Sequence, residues 1–221
     1  IPKAEARFVA KMEDVLAVYD RPYDPQRPVV CVDAKSKALH ADPPERLPLP
    51  PQPGHAARHD YEYDRRGTAN IFMAIESLVG QRRVAVTAQR TLLDFAELLR
   101  QLADETYATA EVIVVVCDNL NTHGPHALYE QFAPAEARRL AERFEWHYTP
   151  EHGSWLNVAE IELSVLERQC LRRRFASQEY LAEEIAAWTA ARNEAEATIH
   201  WQFTAADARI KLRRLYPVIN I

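Results

Sequence analysis

Two short apolar runs constrain this 221-residue chain more than any other feature: Val29-Val30-Cys31-Val32 ending in Asp33, and Val112 through Val116 followed by Cys117-Asp118. Each is rich in β-branched residues and lacks polar alternation, which is the pattern of a strand buried on both faces. Strands of that kind need helices to cover them, and the chain has helical periodicity on either side of both runs. Phe8, Met12, Val15, Leu16 and Tyr19 give an amphipathic helix over residues 2–19. Thr91 caps a helix carrying Leu92, Phe95, Leu98, Leu99 and Leu102. A mostly helical stretch is expected over 126–144, and a helix over 155–173 with Leu156, Ile161, Val165 and Leu166 available for packing. Further helices are expected over 178–193 and from Ala205 onward. Strand-like runs at 69–79 and 82–88 flank Gly80-Gln81 and read as a hairpin, and Trp146-His147-Tyr148 as a last short strand. The whole predicts an α/β fold with one main domain over 1–221. Six of the fourteen prolines fall between Pro43 and Pro53, so that segment is expected as an extended loop.

Both buried runs deliver a carboxylate at the end of a strand, where open α/β sheets place their ligands. Two carboxylates a few ångströms apart repel and raise each other's pKa unless a cation intervenes. With a third acid from a helix, Glu160, the set would hold two Mg2+ or Mn2+ ions about 4 Å apart, one activating the attacking oxygen and one stabilising the leaving oxygen. Taken singly, each acid has an ordinary reading as a turn, cap or surface residue. Their neighbours carry the argument further.

Asp118-Asn119-Leu120-Asn121-Thr122-His123 and the run from Thr149-Pro150-Glu151-His152-Gly153-Ser154 to Trp155-Leu156-Asn157-Val158-Ala159-Glu160 resemble the catalytic domain of bacterial insertion-sequence transposases of the Tc/mariner superfamily. The resemblance runs from the first helix and Val-Cys-Val-Asp through Trp201-Gln202-Phe203-Thr204 and Asp207-Ala208-Arg209 to Tyr216-Pro217. It implies a ribonuclease H-like fold, a mixed central sheet flanked by helices, with an acidic triad matching Asp33, Asp118 and Glu160. Asn119, His123, His152 and Asn157 become candidate neighbours of that triad. It further implies metal-dependent hydrolysis at transposon ends, attack of the freed 3′-hydroxyl on target DNA at a TA site, and a homodimer pairing two ends. Asp118 and Glu160 are 42 positions apart, longer than in many such relatives, which an insertion before Trp146 would explain. Glu162 would face away from Glu160 on a helix and is kept as the reserve acid. These transposases usually follow the first Asp with Glu. Here Ala34 stands instead, on the opposite face of the strand from Asp33.

The formal charge of −5 argues against a surface that grips nucleic acid throughout. Clusters at Arg65-Arg66, Arg82-Arg83, Arg172-Arg173-Arg174 and Lys211/Arg213/Arg214 offer local phosphate contacts, and the helix-turn-helix region of such transposases is not found in these residues. The chain is therefore expected to be a fragment. Cys31, Cys117 and Cys170 are too few and scattered for a disulfide framework and fit a reducing compartment, and Cys31 and Cys117, in apolar strand-like runs, are expected to be buried. No apolar run reaches the ~20 residues of a membrane helix, and a soluble, cytoplasmic protein is expected. His123 and His126 resemble half a zinc site without the other half. Trp155 has two readings, a base-stacking platform and a packing anchor. A nuclease or resolvase of the same fold, and an inactive DNA-binding or assembly module, are the competing functions.

Overall fold

A computed structural model describes residues 5–45, 48–55, 58, 61–120 and 123–217. Five strands form one mixed sheet in the order β3-β2-β1-β4-β5. They are β1 (Val29–Ala41), β2 (Asp64–Glu76), β3 (Gln81–Thr87), β4 (Ile113–Cys117) and β5 (Phe144–Tyr148). β1-β2 and β2-β3 are antiparallel, while β1-β4 and β4-β5 are parallel.

Side-chain alternation sends each strand's residues into two separate cores. Cys31, Ile71, Met73, Ile75, Val114 and Val116 pack under α1 (Ala6–Tyr19), α5 (Val158–Leu166), α6 (Gln178–Glu194) and α7 (Ala205–Lys211). Val30, Val32, Phe72, Ala74, Ile113, Val115 and Cys117 pack under α2 (Leu92–Gln101), α3 (His126–Gln131) and α4 (Pro134–Ala141). Every residue of β4 is buried, as its unbroken apolar run requires. Each fully buried Val or Ile contributes about 1.5–3 kcal/mol, so this strand is the spine on which both layers close. All three cysteines are free and buried. No described helix is long and apolar enough to cross a membrane.

Several expectations need correction. β1 does not stop at Asp33. It runs eight residues further, through Lys35, Ser36 and Lys37, because β2 supplies an antiparallel partner as far as Ala41↔Asp64. Polar residues there look unlike a buried strand because half of this arm is solvated. The helical stretch before Trp146 is two helices, divided where Pro134 begins the second. The helix expected over 155–173 is a 3-10 turn, Ser154–Leu156, then α5, then a π-helical turn, Glu167–Leu171. Ile161, expected to pack, is exposed, while Leu163 is buried instead. Between β1 and β2, the described residues of the proline-rich segment form the isolated bridges Leu49↔Arg58 and Gln52↔His55. Residues 2–4 of the first helix, 46–47 of the loop, and Asn121 and Thr122 lie outside the described residues.

Candidate active site

The parallel ladder between β1 and β4 ends at Cys31↔Val116. Asp33 lies two residues beyond the ladder on β1, and Asp118 is the first residue after β4. Both acids therefore stand just past the end of the parallel ladder, near enough for the Asp118 carboxylate to act on Asp33.

Asp118 directly follows β4 and its Oδ1 is in hydrogen-bond contact with Nδ1 of His123. That ring is 2 % exposed and lies against Phe95, with centroids 4.6 Å apart. With a carboxylate as its partner, Nδ1 carries the ring proton, which fixes the tautomer. Nε2 is buried with no protein partner among the described residues. This geometry gives His123 a polar role beside Asp118.

Glu160 is the third residue of α5 and its side chain is exposed. What fixes its helix is Asn157. The Asn157 side-chain oxygen caps α5 by accepting from the Ala159 N–H at 3.1 Å. Its Nδ2 donates to the Val32 carbonyl at 2.9 Å and to Asp33 Oδ2 at 3.3 Å. One buried side chain thereby joins the start of the Glu160 helix to the strand that carries Asp33. The sequence signal for it was a strong N-cap residue directly before an apolar helix.

Asp33 Oδ1 also accepts the Ala34 N–H at 2.7 Å. Burial pushes the Asp33 carboxyl up to about 6; the Ala34 N–H opposes this, the Asp118 and Glu160 carboxylates add to it, and His123 lowers it. The three acids therefore share one electrostatic neighbourhood. Among the described residues, no three His, Cys, Asp or Glu side chains are gathered tightly enough to hold an ion. Mutual repulsion is a physical reason for carboxylates to stand apart until a cation draws them in.

Glu162 lies on the other side of α5. It is fully buried, with Arg82 Nε at 2.5 Å and Arg192 at 2.9 and 3.0 Å. Arg82 also donates to the carbonyls of Gly80 and Ala197. The reserve acid is thus a structural one, binding α5 to β3 and α6. Ala34 packs toward the core under α2, away from the face of Asp33. Trp155 is 43 % exposed, with one face stacked on Trp201 at 6.5 Å and an edge contact to Phe203 at 5.8 Å.

A groove of about 720 Å3 opens beside Asp118. Arg7, Phe8 and Lys11 line it from the start of α1, together with the loop from Thr149 to Ser154 and Asn119 and Leu120. His152 stands in this loop at φ 60, in the left-handed region that non-glycine residues seldom occupy. Its ring is 80 % exposed.

The family described as DDE superfamily endonuclease matches residues 28–182, a span that includes all three acids. No curated protein matches the chain. Among solved structures, the chain is similar to a Mos1 strand transfer complex, with a TM-score of 0.57 at 16 % identity over 94 % of this chain and 58 % of that one. It is also similar to a Mos1 transposase paired-end complex with left transposon end, with a TM-score of 0.55 at 17 % identity over 89 % and 60 %. A Mos1 mariner paired-end complex with Mn gives 0.54 at 19 % identity over 90 % and 61 %. At these identities the likeness is one of fold, the ribonuclease H-like arrangement of a mixed sheet flanked by helices. The chain spans about three fifths of the length of those structures.

Proposed function

Because the chain belongs to the DDE superfamily endonucleases, we propose that it is the catalytic domain of a DNA transposase, which hydrolyses phosphodiester bonds at transposon ends and joins the freed 3′-hydroxyl to target DNA. What supports this reading is that Asp33 and Asp118 follow the end of the parallel β1-β4 ladder, and that the Glu160 helix is tied to Asp33 through Asn157. The fold likeness to Mos1 complexes holding a strand transfer product and paired transposon ends supports it.

Asp33, Asp118 and Glu160 would hold two Mg2+ or Mn2+ ions. The donor set fits, since these hard cations take oxygen ligands, and the raised Asp33 carboxyl marks negative charge that a cation would offset. When bound, such ions make water or a 3′-hydroxyl a stronger nucleophile and stabilise the leaving oxygen. The protein's own part is positional. His123 holds the Asp118 carboxylate in one rotamer, and Asn157 keeps Asp33 and α5 in fixed relation. Asn119 and His152, exposed along the groove, are placed to meet polar atoms of the DNA. Two copies would act together, one per transposon end, on DNA in the cytoplasm.

The test is incubation of the chain with a supercoiled plasmid and with end-like duplexes in Mg2+ or Mn2+. Nicking and joined products are expected, and Asp33→Asn, Asp118→Asn and Glu160→Gln should each abolish both. Nicking without joining would favour the nuclease reading. Full activity in all three variants would remove these acids from the site.

A further inference from the structure

The groove beside Asp118 is built asymmetrically. The wall formed by α1 presents Arg7 and Lys11, four residues apart and hence stacked on one side of the helix. The helical rise sets them about 6 Å apart along the axis, comparable to the step between successive phosphates of a DNA strand. Among the described residues neither makes an ion pair, whereas Arg21, Arg27 and Arg209, the arginines bound to α1 or to β5 beside it, do. Lys11 Nζ sits 6.0 Å over the Tyr148 ring, which steers the ammonium without neutralising it. α1 has no acid in its first turn, so the positive end of its dipole adds to Arg7, which lies in that turn. The groove's acids besides Asp118 are Glu5, exposed ahead of the helix, and Glu151, whose side chain is 92 % exposed and free to turn toward solvent. Two cations without a carboxylate partner thus line the same groove as Asp118.

We infer that Arg7 and Lys11 form a phosphate rail: they bind consecutive backbone phosphates of the DNA strand being cut and lead it along the groove to Asp118. This rests on the reading of the site as one that cuts DNA. It assigns the first helix a role in placing substrate, separate from the exposed arginine clusters that composition alone singles out. Contacts of this kind carry no sequence information, so they fix the position of the strand and leave its choice to other parts of the protein.

The experiment is fluorescence anisotropy with a 20-base-pair duplex of arbitrary sequence, without divalent metal, at a series of salt concentrations. Each phosphate neutralised contributes about −0.9 to the slope of log K against log salt on duplex DNA. For Arg7→Gln with Lys11→Gln the slope should become shallower by about 1.8 relative to the parent. Arg7→Lys should keep it. Arg213→Gln with Arg214→Gln, a charge-matched pair in the exposed turn after α7 that does not line the groove, should leave it within about 0.5 of the parent. Melting curves identify any variant that has lost its fold, and Lys11→Gln alone, expected to remove about 0.9, then serves in its place. A parent that binds with salt dependence, but whose slope is untouched by the groove substitutions or falls more with the control pair, overturns the rail and leaves the functional reading standing. A parent with no salt-dependent binding to DNA overturns both.

Discussion

Asp33 shows what it costs to place an acid where this one stands. A carboxyl that titrates at about 6 when folded, against 3.8 normally, contributes stability that is intact below the normal value and lost as pH rises through the folded one. At neutral pH the ionised Asp33 is thus a burden on the metal-free fold. Removing a neighbouring like charge should relieve part of it, so Asp118→Asn should melt at or above the parent temperature without metal. A divalent ion that binds only the folded protein stabilises it by roughly 2.7 kcal/mol at a hundredfold excess over Kd. Mg2+ or Mn2+ should therefore raise the parent's melting temperature, and Asp118→Asn should lose most of that rise. A variant that melts lower without metal and keeps the full response would contradict this electrostatic account. At this scale the sequence discloses residue types and their place on strands, because apolar runs and alternation determine those. It does not disclose the bond from Asn157 to Asp33 or the pair of Arg82 with Glu162, which join positions 124 and 80 apart. Nothing in local spacing encodes such contacts.

Among the elements, α5 has the most exacting task, since it must present Glu160 while burying Glu162. Its N-terminus is fixed by Asn157 rather than by propensity. Asn157→Ala removes a cap and a buried hydrogen bond and should lower stability by roughly 2 kcal/mol. Asn157→Ser restores a cap but cannot reach β1 as the amide does, so it should recover most of the melting temperature and little of the metal-induced rise. Equal recovery of both would show that Asn157 matters only as a cap. The C-terminal side of the same helix depends on charge. Glu162→Gln leaves Arg82 buried without its counter-ion and should destabilise by on the order of 3 kcal/mol. Denaturant unfolding would measure that loss, and the surviving folded fraction should still respond to metal. Strands, helices and the capped start of α2 were legible in the sequence because periodicity and caps are local signals. The extension of β1 past Asp33 was not, because it depends on a partner strand more than twenty residues away.

For the whole molecule, the ion network at the edge of the sheet decides the acid limit. Glu145 on β5 receives Arg21, Arg27 and His147, and His147 also reaches Asp14 of α1 at 2.7 Å. Burial would raise the Glu145 carboxyl, but His147, Arg21 and Arg27 outweigh it and hold it at about 2. A depressed folded pKa gives stability that is present above the normal value of 4.5 and lost as pH falls toward 2. Glu145→Gln should be less stable than the parent at neutral pH and should lose less as pH falls through that window, measured by thermal melting across pH. Parallel curves for the two proteins would assign the acid limit elsewhere. Sheet order bears on one further matter, the timing of assembly. β1, β2 and β3 are consecutive and pair by hairpin-like returns, whereas β1 meets β4 across more than eighty intervening residues. Long-range parallel pairing closes late, because the entropy of closing a large loop must be met before any contact rewards it. Asp33 and Asp118 are brought to the same end of the sheet through that pairing. A partly folded or still-emerging chain can therefore own a complete hairpin while its three candidate acids remain apart, so the proposed cutting centre would arrive only with the finished fold.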